Sequence, residues 1–290
     1  MRDPLKDVDG EVRIVEVGPR DGLQNEARIY PTEVKQRFIE ALFVAGLSDV
    51  EITSFVRPDR VPQLADADQL FPRVVRADRR CLALVLNERG FERARAAGAT
   101  AVGMVVAASE GFSRANSGRS NAESLTALTA IIEAARTSGV WLRGYVSTCF
   151  RCPYDGPVPP AQAIATVCAV VRSGVDEVVV SDTLGDADPR QIVEVCGPLI
   201  GQIGTCSLAL HLHDTSGLAM ANLLVALQLG VRTFDGSVGG LGGCPFAPGA
   251  RGNVATEMIV RLCEHLGLRT GVGEEKLAVA RQVLSNAGTV

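Results

Sequence analysis

The sequence predicts an α/β fold of the (β/α)₈ barrel type, and three observations carry that expectation. Eight short apolar segments read as strands, helical patterns separate them, and the unusual polar residues sit at strand ends. Val12–Val17 opens the series, apolar and β-branched as a strand buried on both faces should be. Thr32 is expected to cap the first helix, which runs to Ala45 with Pro31 and Glu33 beside its start. Strands Asp49–Thr53 and Cys81–Leu86 follow, then the helix Glu88–Ala97. Ala101–Val106 precedes the helix Ala122–Ser138, and Val140–Val146 precedes Pro160–Ser173. Glu177–Val180 leads to Pro189–Ile200, Leu208–His211 to Leu218–Leu229, and Arg232–Asp235 to Val254–Leu266. Gly46, Gly98, Gly139, Gly174, Gly230 and Gly267 each stand at a helix end, a common stop signal. Eight alternations point to a closed barrel of residues 12–268, with Glu274–Asn286 as an extra C-terminal helix. A doubly wound open sheet is the alternative. It usually carries G-x-G-x-x-G after its first strand, and Val17-Gly-Pro-Arg-Asp-Gly is not that motif.

No linker, charge run or composition shift divides the 290 residues, so one domain is expected. With 47% apolar and 21% charged residues, the chain can bury a large core. A formal charge of −4 argues against a nucleic-acid binder relying on a basic face. No run approaches the roughly 18–20 apolar residues of a membrane span. Residues 1–11 are charged and lack the apolar centre of a secretion signal, so a cytoplasmic location is expected. The eight cysteines then read as thiols. Cys81, Cys168, Cys196 and Cys263 sit in apolar stretches as small core residues. Cys149 and Cys152 have redox-motif spacing, but no second pair accompanies them.

The chemistry-bearing residues cluster by position. Arg20 and Asp21 follow the first strand, Glu51 lies in the second, Asp182 follows the sixth, and His211 and His213 end the seventh. Cys244 lies in the loop after the eighth. In a barrel all of them meet at the C-terminal face, where active sites are built. Residues two apart on a strand face one way, so both imidazoles of His211-Leu-His213 enter the barrel mouth. Two imidazoles with Asp21 suit Mg²⁺, Mn²⁺ or Zn²⁺, and Asn253 offers another oxygen. A hydrogen-bonded pair of strand-end histidines is the plainer reading. Glu51 sits in an apolar run, where a lone carboxylate is costly unless paired; Arg20 is its expected partner. Ser181-Asp182-Thr183 also reads as the start of a turn or a helix cap. The glycine-rich stretch Gly239–Gly249 lacks the G-K-[ST] ending of a phosphate loop and reads as a lid or a flexible loop.

These segments resemble the hydroxymethylglutaryl-CoA lyase family of metal-dependent barrels. The matching stretches are Glu16-Val-Gly-Pro-Arg-Asp-Gly-Leu-Gln-Asn-Glu26, Thr53-Ser-Phe-Val56, Val61-Pro-Gln63 and Ala107-Ala-Ser-Glu110. Arg143-Gly-Tyr-Val-Ser147, Cys152-Pro-Tyr154, Ser181-Asp-Thr183, His211-Leu-His-Asp-Thr215, Gly240-Leu-Gly-Gly-Cys-Pro245 and Gly252-Asn-Val-Ala-Thr-Glu257 continue the match. The resemblance implies a TIM barrel that cleaves 3-hydroxy-3-methylglutaryl-CoA to acetyl-CoA and acetoacetate. It implies Asp21, His211, His213 and Asn253 as ligands of Mg²⁺ or Mn²⁺. It implies Arg20 as the enolate-stabilising arginine, Cys244 as a proton-transfer residue on a lid, and Glu51 and Asp182 as acidic members of the catalytic cluster. His211 shares proton transfer, and Ser109 and Tyr145 lie near the acyl group. It further implies a homodimer or higher homo-oligomer and a setting in leucine breakdown and ketone-body formation.

The chain departs from the family pattern at several positions. Ser-Phe-Val-Ser-Pro-Lys-Trp-Val-Pro-Gln is here Ser54-Phe-Val-Arg57-Pro-Asp59-Arg60-Val-Pro-Gln63. Cys-Val-Phe-Gly-Cys-Pro-Tyr is shortened to Cys149-Phe-Arg151-Cys-Pro-Tyr154. Asp-Ser-Ser-Val-Ala-Gly is Asp235-Gly236-Ser-Val-Gly239-Gly. The catalytic set is intact, so these changes bear on the acyl group. Citramalyl-CoA and longer-branched 3-hydroxyglutaryl-CoA are the alternative substrates. A Claisen-type synthase is the alternative reaction, and a non-catalytic barrel a further one. Arg57, Arg60 and Arg114 are the expected contacts of the CoA phosphates, since guanidinium forks suit phosphate.

Overall fold

Parallel strands alternating with helices need crossover connections, and here the crossovers wrap the sheet until it closes. The computed structural model describes residues 8–203, 208–243 and 252–287. The barrel strands are β1 (Arg13–Glu16), β2 (Asp49–Ser54), β3 (Arg80–Leu84) and β4 (Ala101–Ala107). They continue as β5 (Trp141–Ser147), β6 (Glu177–Asp182), β7 (Leu208–Leu212) and β8 (Thr233–Gly236). All pairings are parallel, and β1 pairs with both β2 and β8, which closes the barrel. A small antiparallel ribbon, Arg151–Cys152 with Gly156–Pro157, follows β5. The fold class expected from the sequence is the one observed.

The helices are α1 (Thr32–Val44), α2 (Ala67–Val74), α3 (Glu88–Ala96), α4 (Glu110–Ser117) and α5 (Asn121–Ser138). They continue as α6 (Pro160–Ser173), α7 (Pro189–Ile203), α8 (Ala219–Gln228), α9 (Thr256–His265) and α10 (Glu274–Asn286). Two of these, α2 and α4, were not expected. Each has only eight residues, about two turns; α2 carries Pro72 and α4 begins Glu110–Gly111, so neither gives a long helical pattern. Thr32 is also corrected: Pro31 occupies the cap, and the Thr32 hydroxyl donates to Asp66 Oδ2 at 2.8 Å. Asn87 and Ser120 cap α3 and α5, Ser120 in a reciprocal pair with Glu123.

A continuous apolar core between strands and helices runs from Val8 to Leu284. Inside the barrel, Val15, Val17, Leu82 and Ala101 pack with Trp141 in one cluster, and Leu84, Tyr145, Val179 and Ala209 form another. The C-terminal helix α10 packs on α1 and buries Leu277, Ala280 and Leu284. Burying each leucine contributes about 1.5–3 kcal/mol. The approach needs Gly46, whose φ of +103° and contact with the Gly271 carbonyl leave no room for a side chain. No helix among the described residues is long and apolar enough to cross a membrane.

Candidate active site at the barrel mouth

The strand ends open into a cavity of about 690 Å³ whose lining includes Arg20, Asp21, Tyr145, Ser147, His211 and His213. Arg20 and Asp21 reach it from an irregular turn. Residues Gly18–Gly22 form a single π-helical turn, closed by the Gly22 N–H donating to the Val17 carbonyl at 3.2 Å, which also accepts the Asp21 N–H at 2.7 Å. Single π-turns recur at functional sites because they re-aim side chains. The turn is anchored by Glu16, which is fully buried. Glu16 Oε1 accepts the Gly18 and Val238 N–H groups, both at 2.9 Å, and Oε2 pairs with the Thr256 hydroxyl at 2.6 Å. One carboxylate thus joins the arginine turn, the start of the glycine-rich stretch and the helix that follows Asn253. Burial pushes its pKa up to about 8.

Asp21, His211 and His213 present ligand atoms that all lie within 4.8 Å of one another. This grouping is the one metal-competent cluster of three or more His, Cys, Asp or Glu among the described residues. The His211 and His213 rings are 5.1 Å apart between centroids. Burial opposes ionisation of Asp21, but Arg20, with His213 and His211, holds its carboxyl well below the usual range. Two imidazole nitrogens and a carboxylate oxygen, half-enclosed and open to a cavity, fit a divalent ion. Asn253 lies beside them because its strand-like segment pairs antiparallel with His213 and the Val254 N–H donates to the Leu212 carbonyl at 3.1 Å. Its amide nitrogen donates to Asp21 Oδ2 at 2.8 Å and to the Leu241 carbonyl at 3.1 Å. Asn253 therefore sits beside the cluster, with its N–H₂ rather than its oxygen turned to Asp21.

Arg20 and Glu51 form the expected pair. Arg20 Nε donates to Glu51 Oε2 at 2.6 Å, and Nη1 donates to Asp21 Oδ1 at 2.5 Å. Burial disfavours the Arg20 charge, yet Glu51 and Asp21 outweigh it and keep the guanidinium protonated. The strand register shifts between Glu51 and Thr53, a bulge of the kind found beside active sites. Glu51 Oε1 is buried without a hydrogen-bond partner.

Below this layer the barrel interior is ionic. Arg143, wholly buried, donates from Nε to Glu177 Oε1 at 2.7 Å, from Nη1 to the Tyr145 hydroxyl at 2.8 Å, and from Nη2 to Asp235 Oδ1 at 2.7 Å. Asp235 Oδ2 meets His211 Nδ1 at 3.1 Å. Arg13 continues the network from Glu177 to Asp49, which also binds Arg80.

Other expected residues are placed differently. The Asp182 carboxylate accepts the N–H groups of Gly185, Asp186 and Ala187 at 3.0–3.1 Å, so it organises the turn after β6. Ser109 is buried, its hydroxyl 2.8 Å from that of Thr148; Ser147, not Ser109, lines the cavity. Tyr145 does line it. Cys244 lies outside the described residues. Cys149 and Cys152 are free and buried; Cys149 Sγ faces the Val146 carbonyl, and Cys152 Sγ accepts the Tyr154 and Asp155 N–H groups. Glu16, Arg143 and Asp235 were missed. Each is a charge within an apolar strand, the same signal that marked Glu51.

Comparison with known proteins agrees with this geometry. The HMGL-like family model matches residues 11–284. The mitochondrial hydroxymethylglutaryl-CoA lyase of Bos taurus is 44% identical over 283 residues, covering 96% of this chain and 86% of that protein. The crystal structure of an HMG-CoA lyase from Brucella melitensis superposes with a TM-score of 0.93 at 42% identity, covering 96% of this chain and 98% of that one. An HMG-CoA lyase from Acinetobacter baumannii, solved with coenzyme A and 3-methylmalate, gives a TM-score of 0.91 at 35% identity, covering 96% and 92%. A barrel carrying this constellation, matched over nearly its whole length, belongs to the HMGL-like family of lyases.

Proposed function

We propose that the protein cleaves 3-hydroxy-3-methylglutaryl-CoA to acetyl-CoA and acetoacetate. The observation that carries this is the Asp21–His211–His213 cluster facing the same cavity as an arginine locked between Glu51 and Asp21. Asp21, His211 and His213 would hold the divalent ion, Mg²⁺ or Mn²⁺ in this reading, with Asn253 beside them. Such an ion, when bound, acts as a Lewis acid that lowers the pKa of a ligated hydroxyl and offsets a carboxylate charge.

The chain's own groups then divide the work. The reaction breaks the bond between C2 and C3 of the acyl chain. The proton on the C3 hydroxyl leaves to a neighbouring base, Asp21, and C3 becomes the ketone of acetoacetate. The bonding pair moves to C2 and gives the enolate of acetyl-CoA. Arg20 keeps N–H donors beyond the two used on Glu51 and Asp21, and these offset the enolate oxygen's charge. A proton returned to C2 by Cys244 completes acetyl-CoA. Tyr145 walls the cavity beside His211, their rings edge to face at 6.4 Å. A homo-oligomeric state and a place in leucine breakdown belong to the same reading and rest on the resemblance.

The test is direct. Metal-stripped protein receives Mg²⁺ or Mn²⁺ and the thioester, and acetyl-CoA and acetoacetate are measured. Metal-dependent cleavage, absent in Arg20→Gln and His211→Ala, is the expected result. No turnover with metal still bound would reject this substrate and turn the search to citramalyl-CoA and longer-branched thioesters.

A further inference from the structure

We propose that Asp235, oriented by Arg143, is a positioning residue that fixes the tautomer of His211 and so prepares its other ring nitrogen for a divalent cation. The inference rests on the reading of Asp21, His211 and His213 as a metal site. Asp235 itself does not line the cavity. It acts on His211 alone, from below.

The reasoning starts from donor and acceptor counts. A guanidinium has only donors. Arg143 Nη2 lies 2.7 Å from Asp235 Oδ1, so that oxygen must accept. Arg143 is fully buried, as is Asp235, and no solvent competes for either. The second oxygen, Oδ2, lies 3.1 Å from His211 Nδ1. A carboxylate held against a buried arginine is an acceptor at both oxygens, so His211 Nδ1 carries the hydrogen and donates it. The remaining nitrogen, Nε2, is then unprotonated in the neutral ring, with its lone pair available as a ligand. Carboxylate–histidine–metal arrangements of this kind fix ring orientation and raise ligand basicity.

Arg143 is itself over-determined. Glu177 Oε1 holds its Nε at 2.7 Å, and the Tyr145 hydroxyl accepts from Nη1 at 2.8 Å. The guanidinium cannot swing away from Asp235 without abandoning two other buried partners. This makes an unusual prediction for the isosteric variant Asp235→Asn. The amide oxygen must stay with Arg143, which only donates. The amide N–H₂ is then left facing His211 Nδ1, which must accept, and the hydrogen moves to Nε2. A conservative substitution thus inverts the tautomer and blocks the ligand nitrogen. Replacing Arg143 by Met as well frees the amide to turn its oxygen to His211, and the original tautomer returns.

The experiment uses ¹⁵N-histidine-labelled protein without metal, at a pH where the imidazoles are neutral. The chain has three histidines, so long-range ¹H–¹⁵N correlations are assigned with His265→Gln and His213→Gln. The expected wild-type signature at His211 is a protonated Nδ1 and a bare Nε2. Asp235→Asn should show the opposite pattern and bind Mn²⁺ roughly 10–100-fold more weakly by electron paramagnetic resonance. Arg143→Met/Asp235→Asn should regain part of both. A wild-type His211 protonated at Nε2 would overturn the proposal, and that reading does not depend on the Asp235 or Arg143 variants folding. So would Asp235→Asn keeping the wild-type tautomer and Mn²⁺ affinity. Failure of the wild type to bind Mn²⁺ while showing the expected tautomer would instead bring down the metal reading beneath it.

Discussion

Arg20 Nε donates to Glu51 Oε2 across 2.6 Å, and the carboxylate is wholly buried. Two elements far apart in the sequence, the π-turn after β1 and the bulged end of β2, are thereby joined by one charged hydrogen bond. Asp21 takes a second N–H of the same guanidinium at 2.5 Å. The pair costs desolvation to assemble, but once assembled neither charge is removable without exposing the other. Breaking a buried pair by deleting one partner costs about 3–5 kcal/mol.

Two variants separate the structural and chemical parts of that pair. Arg20→Gln should lower kcat by roughly 10²–10³, with a smaller change in KM, because the lost donor matters most when enolate charge develops. Glu51→Gln should lower the melting temperature as well, since it removes the carboxylate charge opposite a buried guanidinium. Steady-state kinetics and thermal melts by circular dichroism check both. An Arg20→Gln enzyme with unchanged kcat would remove Arg20 from the chemistry.

Much of this site was legible before the structure because burial makes charge expensive. A carboxylate inside an apolar strand demands a partner, and that reasoning links Glu51 to Arg20 from sequence alone. The period-two rule likewise places His211 and His213 in the mouth together. The same reasoning applies to Glu16, Arg143 and Asp235, but their partners come from pairings that no local pattern reveals. Arg143 and Asp235 are 92 positions apart, and Glu16 and Thr256 are 240 apart. Asp182 has two readings in the sequence, catalytic group and turn former. Its type and position suit catalysis, yet three backbone N–H groups claim its oxygens. Helices α2 and α4 escaped because eight residues give barely two turns of periodicity.

Glu16 gives the protein a defined pH dependence. Its folded pKa is raised by burial to about 8 from the model-peptide value of 4.5. The folded state therefore holds a proton that the unfolded state releases between those values. Stability from this group is complete below about pH 4.5 and is lost as pH rises through about 8. The protonated acid keeps every contact: Oε1 accepts both N–H groups and Oε2–H donates to Thr256. Gln at this position imitates that form. Unfolding free energies of the wild type, from urea titrations, should fall relative to Glu16→Gln across this window, by at most roughly 1.4 kcal/mol per pH unit. Parallel curves for the two proteins would show that Glu16 stays ionised when folded.

Gly103 on β4 is a test of cavity shape. A β-carbon there would lie 2.9 Å from Tyr145 Cε2 and 3.3 Å from Glu51 Oε1. The Tyr145 ring cannot yield freely, because its hydroxyl is tied to Arg143 at 2.8 Å. Gly103→Ala should therefore displace Tyr145 toward the cavity. Misplacement on the scale of 1 Å costs about 10²-fold in rate. The expected result is a fall in kcat/KM of at least 10-fold with the fold retained by circular dichroism. Wild-type kinetics in Gly103→Ala would mean that Tyr145 does not shape the reacting pocket.

Arg60 is the mouth arginine best suited to the phosphates of a CoA thioester. Besides Arg20, four arginines, Arg57, Arg60, Arg114 and Arg119, line the cavity. Arg57 is already bound to Asp59 at 2.7 Å, and Arg114 to Glu110 at 2.8 Å. Arg119 reaches only the Leu86 carbonyl, at 3.5 Å. Arg60 makes no ion pair among the described residues within 4.0 Å. A guanidinium in no close ion pair offers its fork to phosphate more readily than Arg57 or Arg114. Arg60→Ala should raise KM for the CoA thioester by about 10-fold and weaken its dependence on salt, leaving kcat nearly unchanged. Arg57→Ala should do less. The matching N-acetylcysteamine thioester, which has no phosphates, should be cleaved equally by wild type and Arg60→Ala. An equal loss on both thioesters would place Arg60 in the acyl pocket or the fold rather than on the phosphates.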